Sequence, residues 1–172
     1  MIFKVALILL CMHLNAQEKA LEFPQDYFGI YKGDLTITNS AGEQKLQMEF
    51  HLQPTDSIGK YKYTLVYIVE GNRQERDYTL IEKNAEKGEY VVDENNGILL
   101  DAKFINGTLY SMFEVQGNIL TTTERFNEES MDFTITFTGK AQVNTSKTEG
   151  DDPIDVVSYP ITVVQSAHLI KE

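Results

Sequence analysis

The sequence predicts an all-β protein: an antiparallel up-and-down meander of about nine or ten strands closed into a barrel, with a two-sheet β-sandwich as the alternative. Three observations predict it. Apolar residues recur with a period of two, short turn signals separate the alternating runs, and no window of comparable length has the pattern of a helix.

The runs set the faces. Leu46, Met48, Phe50 and Leu52 share one side, with Gln47, Glu49, His51 and Gln53 opposite. Tyr61, Tyr63, Leu65, Tyr67 and Val69 alternate against Lys60, Lys62 and Thr64. Ile98, Leu100, Ala102 and Phe104 form a third apolar side, and Met131, Phe133, Ile135 and Phe137 a fourth. Each run has the one-face-buried character of an antiparallel strand. Phe50, Leu65, Leu100, Phe113 and Phe133 are therefore the expected core, and Glu49 and Thr134 the expected surface.

The turns set the register. Asn-Gly suits a type I′ hairpin, because both central residues need positive φ. A two-residue Asn106-Gly107 loop pairs Phe104 with Leu109, Ala102 with Ser111, Leu100 with Phe113 and Ile98 with Val115, which puts all eight on one side. The next hairpin has two readings. A Gly117-Asn118 loop turns Leu120, Thr122, Glu124 and Phe126 inward and sets Phe126 level with Met131. A three-residue loop that includes Gln116 turns Ile119, Thr121, Thr123 and Arg125 inward instead. Either Glu124 or Arg125 thus faces the core. From Gly139 to Asp152 the composition is polar, which predicts a loop or a frayed strand extension. The stretch from Ile154 to Val164 reads as the last strand, at an edge or bulged, because Pro160 cannot donate to a ladder. Residues 17–26 read as one short helix or an arm.

Residues 1–16 combine a basic residue (Lys4), an apolar run from Val5 to Met12 and a small residue at Ala16, the plan of an export signal cleaved before Gln17. The run is too short to span a bilayer. Residues 17–172 then form a single domain, secreted or periplasmic. Cys11, the one cysteine of the chain, falls inside the signal, and Ile8, Leu9 and Leu10 before it disfavour lipid anchoring. Cleavage removes Lys4 and no acidic residue, so the formal charge moves from −11 to −12. A balance this acidic repels phosphate backbones and anionic membranes, and nucleic acid is not an expected partner.

At Phe28-Gly29-Ile30-Tyr31-Lys32-Gly33 the chain resembles the lipocalin-like (calycin) group of secreted up-and-down barrels, which carry Gly-x-Trp at the start of the first strand. In that family the Trp plugs one barrel end under an Arg from the last barrel strand. The resemblance implies Tyr31 in the aromatic place, with Arg125 as its stacking partner. Arg76-Asp77-Tyr78 matches a fragment of the family's second motif, and the fold analogy implies small apolar ligands.

No catalytic constellation, cofactor site or metal site is expected. After export only His51 and His168 remain, both on polar positions, with no nucleophile placed beside them. Asp93-x-Asn95-x-Gly97 opens like a calcium loop, but Phe104 stands where the closing glutamate belongs. Asp101, Glu114 and Glu124 are the carboxylates by which a hydrolase could act, and the register turns the first two outward. The tyrosines are the most suggestive feature. Tyr61, Tyr63 and Tyr67 line one strand face, with Tyr78, Tyr90 and Tyr110 on neighbouring ones. A ring with a hydroxyl suits a pocket for an amphipathic molecule. The leading expectation is therefore a non-catalytic binding module for a small apolar or amphipathic ligand, held by Tyr31, Tyr61, Tyr63, Tyr67 and Glu124 or Arg125. An inward Arg125 predicts carboxylate ligands, and an inward Glu124 cationic or hydrogen-bond-donating ones. The alternative is a structural or protein-interaction domain with a filled barrel, and the third choice a hydrolase acting through paired carboxylates.

Overall fold

The period-two runs become ten barrel strands in the computed structural model, which describes residues 21–172. The strands are β1 (Gly29–Asn39), β2 (Gly42–Pro54), β3 (Lys60–Val69), β4 (Asn72–Asn84), β5 (Glu89–Asp93), β6 (Leu99–Ile105), β7 (Thr108–Val115), β8 (Asn118–Phe126), β9 (Ser130–Gly139) and, after an excursion, β12 (Val163–Lys171). β1 to β9 pair as consecutive antiparallel neighbours, and β12 pairs with both β9 and β1, so the sheet closes as a barrel. Closure leaves the barrel sheet without an edge strand. A closed antiparallel barrel is consistent with the lipocalin-like resemblance, and the sandwich alternative is excluded. The expected export signal, with Cys11 and the cleavage point, lies outside the described residues.

The Asn106-Gly107 hairpin pairs Phe104 with Leu109 and Ala102 with Ser111 as the turn chemistry requires, with φ of 49° and 78° at the two turn residues. Beyond Ser111 the ladder stops, so the expected pairs Leu100–Phe113 and Ile98–Val115 do not form. The loop of the next hairpin is Gln116-Gly117, both at positive φ, rather than Gly117-Asn118. Val115 therefore pairs with Asn118 and Leu109 with Glu124. The shift is an even number of residues, so the inward face is still Leu120, Thr122, Glu124 and Phe126, and Phe126 pairs with Met131.

Two expectations about the C-terminal part are corrected. The polar stretch after Gly139 contains strand β10 (Asn144–Lys147), which pairs with β11 (Asp155–Ser158) as a separate two-stranded hairpin. The closing strand is β12 and not the stretch from Ile154 to Val164, because Pro160 ends pairing before the chain rejoins the barrel. The expected arm is the segment from Leu21, with one 3₁₀ turn at Gln25–Tyr27. Among the described residues no helix is long and apolar enough to cross a membrane.

The core includes Phe50, Leu65 and Phe133, as their faces require, whereas Leu100 and Phe113 are only half-buried. Glu49 departs from its expected exposure: it points outward but is buried. Arg73 donates to it twice, Nη1 to Oε1 at 2.8 Å and Nη2 to Oε2 at 2.9 Å, and His51 lies 2.8 Å from Oε2. The bidentate guanidinium holds its carboxyl down to about 2, against the opposing effect of burial. Long charged side chains here cover the outer wall as apolar ones cover the inner.

One glycine is fixed by its neighbours. Gly88 has φ +65° in the β4–β5 turn, and its Cβ would run into the backbone carbonyl of Phe104. The same residue accepts the Phe104 N–H at 2.8 Å. Gly88→Ala is expected to cost on the order of 2 kcal/mol, from a strained φ and a displaced strand. A denaturation midpoint equal to that of the parent protein would contradict this packing.

Candidate functional site

Inward-facing side chains divide the lumen into two halves. One end is sealed by the segment that precedes β1. Phe23 stacks on Phe104 with ring centroids 4.0 Å apart and meets Tyr90 edge-on at 5.1 Å, and Tyr27 lies 5.4 Å from Phe126. The hydroxyls are tied to the backbone of the plug: Tyr90 donates to the Phe23 carbonyl at 2.9 Å and Tyr31 to the Tyr27 carbonyl at 2.6 Å. Tyr31 is completely buried here, and the cation over its ring is Lys171 of β12, 5.9 Å from the centroid. Arg125 is not the stacking partner. It lies on the outer wall, exposed, between Thr108 and Asp132 in the ladder.

Above the plug a crossbar spans the lumen. β3 and β8 are five strands apart in either direction around the ring, so they form opposite walls. Tyr63 O–H donates across the interior to Glu124 Oε1 at 3.0 Å. Both residues are buried, Glu124 to 1% exposure, and its Oε2 has no hydrogen-bond partner. Burial pushes the Glu124 carboxyl up to about 8, while the hydroxyls of Tyr63 and Thr122 pull the other way. Burial and the facing carboxyl push the Tyr63 hydroxyl well above its ordinary value. The inward residue of the pair left open by the sequence is thus Glu124.

Beyond the crossbar the inward side chains are less buried, and they form the cup of the barrel. Ile37, Leu46, Tyr67, Tyr78, Leu100 and Ile135 point inward yet are only partly buried. These side chains pack against the buried core and are less enclosed than the rings of the plugged end. Arg76, an exposed residue on the Tyr78 side of β4, has its guanidinium carbon 5.4 Å from the Tyr67 ring centroid, a cation–π distance. Burial acts against the Arg76 charge, and a hydrogen bond to Tyr78 with the nearby Tyr67 outweighs it, so the guanidinium stays charged. Burial raises Tyr67, with Arg76 acting against it.

The expected tyrosine face is therefore split among three levels. Tyr61 belongs to the plugged end, where its hydroxyl donates to Glu82 at 2.9 Å and accepts from Gln25 at 3.2 Å. Tyr63 makes the crossbar, and Tyr67 lines the cup. Tyr110 is on the outer wall, 45% exposed. The tyrosine cluster read from the sequence includes Tyr78 beside Tyr67 but not Arg76. The signal available for Arg76 was strand parity across the Glu70-Gly71 turn, where Tyr67 pairs with Gln74, Leu65 with Arg76 and Tyr63 with Tyr78.

No protein-family model matches the chain, and no curated protein matches its sequence. Its residues alone carry the chemical reading. Asp101 and Glu114 are exposed on the outer wall, where Lys140 pairs with Glu114 at 2.8 Å, while Glu124 is inside, so the three carboxylates do not converge. His168 is exposed beside Asp132 at 2.7 Å, whereas His51 is nearly buried against Glu49, contrary to its expected exposure. Among the described residues no group of three or more His, Cys, Asp or Glu could hold a metal ion.

Proposed function

We propose that this protein is a non-catalytic binding module, secreted or periplasmic and of calycin type, whose half-open barrel takes one small, mainly apolar molecule down to the Tyr63–Glu124 crossbar. The observation that carries this reading is the contrast between the two halves of the lumen. Aromatic rings and tied hydroxyls seal one half, and inward apolar side chains remain partly exposed in the other. Exposed apolar surface inside a concavity is what an apolar ligand removes from water. Arg76, Tyr67 and Tyr78 give the cup polar groups that orient an amphipathic molecule.

The chain has nine tyrosines and no tryptophan, so its intrinsic emission is tyrosine emission, to which Tyr67 and Tyr78 contribute. Titration with fatty acids, sterols and long-chain amines is expected to give a saturable change with at least one class. Tyr67→Phe or Leu120→Arg, the second placing a charge in the cup, should weaken it at least about tenfold. No response across the panel would sink the binding reading.

One observation favours a second reading, a protein-interaction domain. On the outer wall at β6–β8 a groove of about 700 Å³ runs past Lys103, Tyr110, Met112 and Thr121, and Met112 is 69% exposed there. A flat titration together with loss of a partner complex on Met112→Glu would move the function to that wall.

A further inference from the structure

We infer that the molecule held in the cup ends in a neutral hydrogen-bond acceptor, a carbonyl, ether or hydroxyl oxygen, and that the Glu124 carboxyl donates its proton to that oxygen. The inference rests on the binding reading and names the chemistry of its ligand. It reverses the first expectation from an inward glutamate, a cationic or hydrogen-bond-donating ligand.

The geometry carries it. Oε1 is engaged by the Tyr63 hydroxyl, and Oε2 is buried with no partner. The ladder neighbours of Glu124, Leu109 on β7 and Phe133 on β9, are apolar. The titratable groups that act on it from other strands are Tyr63 and Tyr67 on β3, and next to those tyrosines stand Tyr78 and Arg76 on β4. Farther along the lumen, Tyr31 and Tyr90 have their hydroxyls tied to backbone carbonyls. The one cation in this set, Arg76, is engaged by Tyr67 and Tyr78 and does not bond to Glu124. An ionised carboxylate at this place would be a buried charge met by the hydroxyls of Tyr63 and Thr122 and bonded to no cation. The protonated form has the opposite need. With Oε1 accepting from Tyr63, its proton sits on Oε2, which makes no hydrogen bond of its own although the Thr122 hydroxyl lies near the carboxyl. A ligand oxygen supplies an acceptor at no cost in buried charge. A ligand ammonium would require both ions to lose water, and a buried pair at best roughly balances that penalty.

The burial that raises the carboxyl to about 8 gives the inference a pH signature. Methyl octyl ketone accepts hydrogen bonds and cannot donate, and decylamine is a cation of matching length. The protein is expected to bind the ketone more tightly than the amine. Ketone affinity should fall roughly tenfold or more from about pH 6 to about pH 9.5, as the donor proton is lost. Glu124→Gln, whose amide donates at every pH, should bind the ketone with a flat profile. A readout on the parent protein does not depend on that variant folding. At about pH 6, where ordinary carboxyls are ionised, a neutral-carboxyl infrared band should be present and should move to lower frequency when the ketone binds. Tighter binding of the amine, a flat parent profile or an unmoved band would overturn the inference while leaving the binding reading in place. Binding of neither probe would overturn the inference, and no response to the fatty acids and sterols either would overturn the binding reading as well.

Discussion

Phe50→Ala is expected to lower stability by about 3–5 kcal/mol, read as a shift of the urea midpoint at an unchanged slope. The ring is completely buried at the inner wall of β2. It meets Tyr63 edge-on at 4.9 Å and lies 6.2 Å from Tyr31 and 5.9 Å from Phe126. Its removal opens a cavity between the plug and the crossbar, where the surrounding rings are too rigid to collapse into the space. Tyr63 loses the contact that sets its ring, so the hydrogen bond to Glu124 is weakened as well. Phe113→Ala makes the contrast. That side chain faces inward in the cup but is half-exposed, and its loss should cost only about 1–2 kcal/mol because water already reaches it. Thr134→Ala, on the outer wall, should stay within about 0.5 kcal/mol. Equal losses for Phe50 and Phe113 would mean that the lumen is packed throughout, and the cup would then not exist.

The fold was legible because its signals are local. Alternation gives the faces of β2, β3, β6 and β9, and an Asn-Gly turn permits one register at its hairpin. The inner face of β8 survived a misplaced loop because a shift of two residues preserves parity. The closing strand was hidden. Its inward side reads Val163, Gln165, Ala167 and Leu169, and its outward side includes Val164 and Ile170, so neither face stands out as apolar. β4 was hidden as a contributor to the site for a related reason. From Asn72 to Asp77 both faces are polar, and only pairing with β3 shows that Arg76 points into the barrel. Glu49 looked like any outward charge, because its burial depends on Arg73, a neighbour two strands away in the sheet. The crossbar joins residues 61 positions apart, from strands that do not pair, and no local pattern encodes such a meeting.

The parent protein should lose stability steadily as pH rises from about 5 to about 8, and Glu124→Gln should abolish that slope. Glu124 has an ordinary carboxyl value of 4.5 when unfolded and about 8 when buried in the fold. Between those limits the folded state holds one proton more than the unfolded state. Linkage then makes the stability of the fold fall with pH, by up to about 1.4 kcal/mol per unit, and level off once the folded group also ionises. Below 4.5 both states are protonated, and this group confers no pH dependence. Glu49 acts in the opposite sense. Its carboxyl is held down to about 2, first by Arg73, so its contribution is present above its unfolded value and is lost as pH falls toward 2. The two together place maximum stability near pH 4.5 to 5, between the windows of the two groups. Urea midpoints measured across this range should therefore peak on the acid side of neutrality. Glu124→Gln should remove the alkaline slope and keep the acid one, while Arg73→Met should reduce the acid slope and keep the alkaline one. Parallel profiles for the parent and Glu124→Gln between pH 5 and pH 8 would show that Glu124 is ionised in the fold, and the crossbar would then have to hold a charge rather than a proton.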